Sequence, residues 1–492
     1  MEPISRRSAL VLGGLGLVGT IAGGAGLLWG WTSGFASVSG ARFAQPSELR
    51  SSGGLLQVDL KAASGKVPVA GRTATAFSYN GGLPGPTLRI RAGDRLAVNL
   101  RNRLSDPTNL HVHGLHVSPQ DNSDNMFVTV DPGTSFQYEY QLPKNHPPGV
   151  YWYHPHHHGL VAQQVFGGLY GTIIVEDPEP IAVARERVLV ISDITLDGSG
   201  RIPAAPAMAA MMGREGELIL VNGRINPRLA ISPGERERWR IVNACSARYL
   251  RLRLDGQQLQ LLGIDSGRFQ TPKDVDEVLL TPGNRADLLV TAAAGNSVLS
   301  LLPSNRGGAS GMMGAGSPGG RNSQSGNAVS LATLTVAGNT AAPLAPVPAQ
   351  PLPRDLRTVA VAARRELIFA MGMGTGMGMG MGDSMMSFSV DGKVFDAQRT
   401  DTVVRAETIE EWTLTNTSPM DHPIHLHVWP MQVVNTNGQD ADSVVWQDVV
   451  NVPARGRVRV RIAFDDFVGR SVYHCHILDH EDRGMMGVIE VR

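Results

Sequence analysis

The chain has 492 residues, a length suited to about three domains. With 42% hydrophobic and 18% charged residues it is neither a disordered chain, nor a collagen-like fibre, nor a polytopic membrane protein. Lys plus Arg and Asp plus Glu stand at 44 each, so the basic excess of a nucleic-acid binder is missing. Gly 57 and Pro 31 predict many turns and an all-β chain. The two cysteines, Cys245 and Cys475, cannot build a disulfide scaffold, so packed cores must carry the stability.

In chain order, Ser5-Arg6-Arg7 precedes an apolar run from Ala9 to about Trp31. A charged start followed by such a run predicts an export signal over 1–40, and the paired arginines point to the twin-arginine route. Its eight glycines argue against a membrane-spanning anchor. The expected location is therefore periplasmic or otherwise extracytoplasmic, without a stable membrane partner. From 41 to 180, short β-rich runs alternate with turns, as in Thr87-Leu-Arg-Ile-Arg-Ala, Arg95-Leu-Ala-Val-Asn-Leu and Phe136-Gln-Tyr-Glu-Tyr. Pro178-Glu-Pro180 marks a boundary. A second domain is expected over 185–340, with Arg238-Trp-Arg-Ile-Val-Asn and Arg251-Leu-Arg-Leu, closing near the Gly/Ser-rich stretch 307–326. Five prolines between Pro343 and Pro353 predict an extended linker over 341–355. A third domain, 356–492, carries Glu410-Glu-Trp-Thr-Leu and Arg457-Val-Arg-Val-Arg-Ile. Beyond the signal, no segment shows the 3.6-residue period of a substantial helix. Three β-sandwich or barrel domains of about 120 to 150 residues follow.

The domains echo one another. Pro86-Thr-Leu-Arg-Ile-Arg-Ala-Gly-Asp before Arg95-Leu-Ala-Val-Asn-Leu is matched by Ile231-Ser-Pro-Gly-Glu before Arg238-Trp-Arg-Ile-Val-Asn. Arg405-Ala-Glu-Thr before Glu410-Glu-Trp-Thr-Leu-Thr-Asn makes a third copy. Duplication of one β-domain explains all three.

The 14 histidines are confined to positions 111–158 and 422–480, with none between. Imidazole is a common ligand for Cu, Zn and Fe, so the clustering predicts a metal site where the first and last domains meet. Four motifs carry it: His111-Val-His113-Gly, Trp152-Tyr-His154-Pro-His156, His422-Pro-Ile-His425-Leu-His427, and His474-Cys475-His476 followed by His480 and Met485. On a strand, residues i and i+2 share a face, so each His-x-His pair aims two imidazoles one way. Cys475 then points away from its two neighbours. A thiolate, two imidazoles and a distant thioether form the blue-copper ligand set, which Cys475, His480, Met485 and His422 can supply.

In these motifs, their order and their spacing, the chain resembles the multicopper oxidases over essentially its whole length after the signal. The resemblance implies three cupredoxin-like Greek-key β-barrel domains. It also implies four copper ions, one type 1, one type 2 and two type 3. Carried over motif by motif, type 1 copper would use His422, Cys475, His480 and Met485, and type 2 copper His111 and His425. The type 3 pair would use His113, His154, His156, His427, His474 and His476. Electrons from a substrate would pass from Cys475 through its neighbours His474 and His476 to a trinuclear cluster that reduces O2 to water. Glu481 would relay protons, as would Asp124, with Asp121 as an alternative. His116, His146, His157 and His158 are left over, and Cys245 reads as a buried inert thiol.

Met371, Met373, Met377, Met379, Met381, Met385 and Met386 alternate with glycine, a pattern that fits neither a packed helix nor a strand. Thioether suits Cu(I), and here the resemblance narrows to bacterial periplasmic copper-efflux oxidases. Candidates for substrate copper are Asp383, Met385, Met386, Met420 and Asp421, with Met208, Met211, Met212, Met312 and Met313 weaker. Three functions stay open: a cuprous oxidase, a laccase acting on phenols and small aromatic amines, and a copper-sequestering protein. A monomer is the default.

Overall fold

Alternation of buried and outward-facing side chains marks one sheet of the first unit, while the sheet that carries its histidines is buried on both faces. In Arg95–Arg103 the residues Leu96, Val98 and Leu100 are buried while their neighbours face outward, because successive side chains of a strand leave opposite faces. The computed structural model describes residues 39–307, 327–372 and 386–492. Residues 1–38 of the expected signal, Met312, Met313, Asp383 and the tract methionines Met373, Met377, Met379, Met381 and Met385 lie outside them. Among the described residues no helix is long and apolar enough to cross a membrane.

The described strands form six sheets, paired as three cupredoxin-like units. In the first unit Leu55–Val69 runs parallel to Arg95–Arg103, which pairs antiparallel with Ser135–Gln141. In the second, Arg185–Ile194 runs parallel to Arg236–Asn243, itself antiparallel to Arg285–Thr291. In the third, Ala363–Gly372, Thr408–Asn416 and Arg457–Phe464 repeat that order. The three echoing segments thus occupy the same central strand of each unit. The likeness extends to side chains: Trp239 donates to Glu237, held by Arg187, as Trp412 donates to Glu410, held by Arg365.

The second sheet of the first and third units carries the histidines. His111–His113 is the edge strand beside Gly149–His154, with His111 opposite His154 and His113 opposite Trp152. His422–Leu426 pairs with Gly469–Cys475, setting Ile424 opposite Cys475 and His425 opposite His474. Among the described residues helix is limited to three short pieces: α1 (Val161–Phe166), α2 (Ala207–Met212) and α3 (Leu478–Asp482). Each belongs to a different unit, and α3 packs against both others. The proline-rich segment has neither helix nor strand. It lies along the second unit, where Val347 packs with Ile181, Leu262 and Leu289 and the Ala345 carbonyl accepts from Arg236.

Candidate metal centre

Two clusters of metal-capable side chains lie on opposite sides of Cys475. On one side its Sγ is 3.3 Å from His422 Nδ1 and 3.7 Å from His480 Nδ1. All three are fully buried, as is Met485. The Met485 carbonyl accepts the Cys475 N–H at 3.0 Å, and the Ile477 N–H points at Sγ from 3.4 Å. Outward ring nitrogens are also engaged. His422 Nε2 meets Ser418 Oγ at 2.6 Å, and His480 Nε2 meets the Met211 carbonyl of α2 at 3.1 Å. Phe388 stacks on His480 with centroids 4.6 Å apart.

On the other side eight histidines converge from the first and third units. His111 Nε2 is 3.4 Å from His425 Nε2, and His113 Nδ1 is 3.4 Å from His154 Nε2. His474 Nε2 lies 3.0 Å from His156 Nε2 and 3.1 Å from His427 Nε2. His476 closes the group against His113 and His154, and neither of its ring nitrogens has a hydrogen-bond partner. So many buried imidazoles brought within a few ångströms of one another describe a cavity that wants cations. Burial holds His111, His113, His156, His425, His427 and His476 well below the ordinary imidazole range, with mutual repulsion adding to it. His154 is pushed down to about 3, also by burial. These groups are therefore neutral at ordinary pH, the state a metal requires.

The expectation that each His-x-His pair rides on a strand holds fully only for His111–His113. His156, His427 and His476 each lie beyond the end of their strand. Pro155 breaks the first of these, and a left-handed Val428 (φ 68°) turns the chain after His427. The turns let these imidazoles swing across the junction between units.

Asp124 is the carboxylate at this cluster. Its oxygens lie 2.9 and 3.0 Å from His111 Nδ1, one accepts the Val112 N–H, and burial pushes its pKa up to about 8. Asp121 is exposed on a left-handed turn (φ 52°). Glu481 is fully buried, 3.1 Å from His474 Nδ1 and 3.4 Å from His156 Nε2, and neither of its oxygens has a hydrogen-bond partner.

The remaining candidates scatter. Met420 is enclosed in the third core, and Asp421 accepts from Ala454 N–H and Asn451. Met386 is half-buried at the foot of the hairpin formed by Ala363–Gly372 and Ser387–Val390. Met211 and Met212 pack against the same core, beside Met371 and Met386. His116 bonds the Val428 carbonyl and Asp466, His146 accepts the His116 N–H, and His158 packs against Phe395 with the rings tilted at 57°. Cys245 is buried, its thiol pushed well up by burial. Three residues without a sequence signal also matter: Asp448, Arg285 and Asp482. Asp482 of α3 accepts the N–H groups of Gly159, Val161 and Ala162 at the start of α1. They are single charged residues outside the histidine motifs, at the start of a strand, in a bend and at the end of a short helix, so only the fold shows what they touch.

Three sequence signatures described as multicopper oxidase match residues 61–180, 151–302 and 372–492. The chain belongs to the multicopper oxidase family. It is an oxidoreductase, and the histidine clusters fit the copper binding of that family. It is 28% identical over 490 residues to "Multicopper oxidase MmcO" of Mycobacterium tuberculosis, covering 92% of this chain and 89% of the relative. It is 25% identical to a "Laccase" of Bacillus subtilis, over 84% and 90% of the two chains. A solved multicopper oxidase from Campylobacter jejuni, titled a metallo-oxidase, superposes with TM-score 0.79 at 29% identity, covering 92% and 95%.

Proposed function

We propose that this multicopper oxidase is a cuprous oxidase of an extracytoplasmic compartment, taking electrons singly from Cu(I) and reducing O2 to water. The observation that carries the reading is the cover over His480. Its outward edge is fully buried, bonded by the Met211 carbonyl and stacked by Phe388. Met211, Met212, Met371 and Met386 pack against the core that contains Cys475 and Met485. A phenol needs an open apolar cleft against that edge, whereas thioethers offer soft donors to Cu(I). The methionine tract leaves and re-enters the sheet at the paired Gly372 and Ser387, next to Phe388, so both of its ends lie at the same cover. The solved metallo-oxidase supports a metal substrate by likeness.

Four copper ions fit the donors. His422, Cys475, His480 and Met485 would hold the type 1 ion, and His111 and His425 the type 2 ion. His113, His154, His156, His427, His474 and His476 would hold the type 3 pair. When bound, copper supplies one-electron storage and the reduction of oxygen. The chain supplies the rest. Cys475 is joined by peptide bonds to His474 and His476, giving electrons a covalent path between the clusters. Glu481, between His474 and His156, moves protons to the oxygen site. Asp124 fixes the tautomer of His111, leaving Nε2 to face the cluster.

The test is oxygen uptake by the copper-loaded full chain given Cu(I) or a simple phenol. A variant with residues 373–385 replaced by a Gly/Ser loop runs in parallel. Cu(I)-driven uptake that falls in the variant is expected. Strong phenol-driven uptake with Cu(I) inert would make the enzyme a laccase, and Cu(I) retained without oxygen uptake would make it a sequestering protein. Replacing Arg6 and Arg7 by Lys should trap the chain in the cytoplasm, and export undiminished would overturn the twin-arginine route.

A further inference from the structure

We infer that Arg285, supplied by the histidine-free second unit, positions His113 and His425 in the trinuclear site by clamping Asp448 between them. The inference rests on the ligand roles proposed above. His113, His425 and Asp448 bring metal-capable atoms together, but the cation position there is already filled by the protein itself. Both oxygens of Asp448 accept from the Arg285 guanidinium, Nη1 and Nη2 each at 2.6 Å. The other donors of Arg285 are also used: Nε to the Val150 carbonyl, Nη1 to Asp265 and the Gly283 carbonyl. Every partner is buried, so water cannot replace any of them.

Asp448 faces a histidine from each of the two outer units. Its Oδ1 lies 3.0 Å from His113 Nε2, and its main-chain carbonyl lies 2.7 Å from His425 Nδ1. A carbonyl can only accept, and so can a carboxylate whose oxygens are both held by a guanidinium. The ring protons therefore sit on His113 Nε2 and His425 Nδ1. The lone pairs left, His113 Nδ1 and His425 Nε2, are the atoms turned toward His154 and His111. The two rings stack at 3.8 Å and 9°. One residue thus selects the ligating nitrogen of two histidines from different units, His113 through its carboxylate and His425 through its main-chain carbonyl, and Arg285 fixes that carboxylate.

The packing leaves no slack in this arrangement. A Cβ on Gly114, the residue after His113, would stand 2.3 Å from Arg285 Nη2 and 2.7 Å from Asp448, at φ +83°. A Cβ on Gly283 would press on the His476 ring at 3.0 Å. Asp265 accepts the N–H groups of Arg285 and Val449, and Asn284 donates to Asp265 and to the Val449 carbonyl. The second unit grips the chain on the far side of Asp448 as well. Arg285 is a positioning residue that touches no copper ligand by hydrogen bond.

The test uses the full copper-loaded chain with Arg285→Lys and Arg285→Met. The readouts are copper per chain, the blue band, the type 2 electron paramagnetic resonance signal, the rate of copper loss to a chelator, and the melting temperature. The blue band should keep its position and intensity, because the type 1 ligands lie on the other side of Cys475. The type 2 signal should change, and trinuclear copper should be lost on the order of tenfold faster. Lys should not rescue, because one ammonium cannot span two carboxylate oxygens as a guanidinium does. A parental type 2 signal and copper retention in Arg285→Lys would overturn the inference. So would loss of blue and trinuclear signals together with a lower melting temperature, which marks a general structural role. Should Arg285→Met fail to fold, Asp448→Asn keeps the shape and the carbonyl to His425 and is read by the same criteria. A parent chain that binds copper with neither a blue band nor a type 2 signal would overturn the ligand roles themselves.

Discussion

Glu481 keeps two carboxylate oxygens buried without a hydrogen bond, beside two imidazoles. An unsatisfied buried acid costs stability, and a chemical role is the reason to keep one. Glu481→Gln keeps the shape and removes the exchangeable proton. It should slow oxygen turnover about a hundredfold while the blue absorbance stays; steady-state oxygen uptake beside the visible spectrum checks this, and unchanged turnover would count against proton relay. Asp124 acts differently, because it holds His111 at two contacts near 3 Å. Asp124→Asn should weaken type 2 copper retention by about tenfold, the size of effect seen when an outer partner of a ligating histidine is changed. Chelator-competition titration reads it.

Among elements, the contact of α1 with α3 matters most, because each follows directly on a ligand loop. Asp482 accepts three N–H groups at the start of α1 and so ties the turn after His156 to the turn after His480. These donors have no other partner at a helix start. Asp482→Ala should lower unfolding free energy by about 1–3 kcal/mol, read from the denaturant midpoint at constant slope. α2 is fastened in the same manner. Arg214 makes charge-assisted bonds to Asp479 at 2.6 and 3.0 Å, and Arg306 donates to the Met212 carbonyl. That fastening keeps the Met211 carbonyl on His480. Composition and alternation made the strands legible, whereas a six-residue helix such as α2, with one buried residue, carries too little periodicity to be read.

Over the whole molecule, the proposed metal ligands come from the first and third units while the second supplies Arg285 and Gly283 at the junction. Copper held by them would join the first and third units. Its removal should lower the unfolding temperature of the outer units more than that of the second, because a ligand stabilises the state that binds it; calorimetry of loaded and stripped protein checks this. The stripped protein should also be acid-sensitive. His154 and His422 are pushed down to about 3 by burial, against an ordinary value near 6.5. Between about pH 6.5 and 3 the unfolded chain binds more protons than the folded one, so stability is present above that window and lost as pH falls through it. Asp124 and Asp482, raised to about 8, act in the opposite sense as pH rises. The histidines held low are the larger group, so the net loss should appear on acidification. An urea midpoint that does not fall between about pH 7 and 5 would contradict this.

The sequence by itself determined the all-β class and the repeated unit, and it singled out the candidate donors. These depend on alternation, internal repetition and residue chemistry, all of which are written locally. His111, His113, Cys475 and Glu481 stood out because neighbouring residues framed them as motifs. The tertiary structure alone decided which carboxylate meets the cluster, Asp124 rather than Asp121, though the two are three residues apart. It also decided that a histidine-free unit reaches the site through Arg285, and that Met211 covers His480. The first is a loop closing back on its own unit, and the other two are contacts between units across more than a hundred residues, set by how three cores pack, so no local pattern records them.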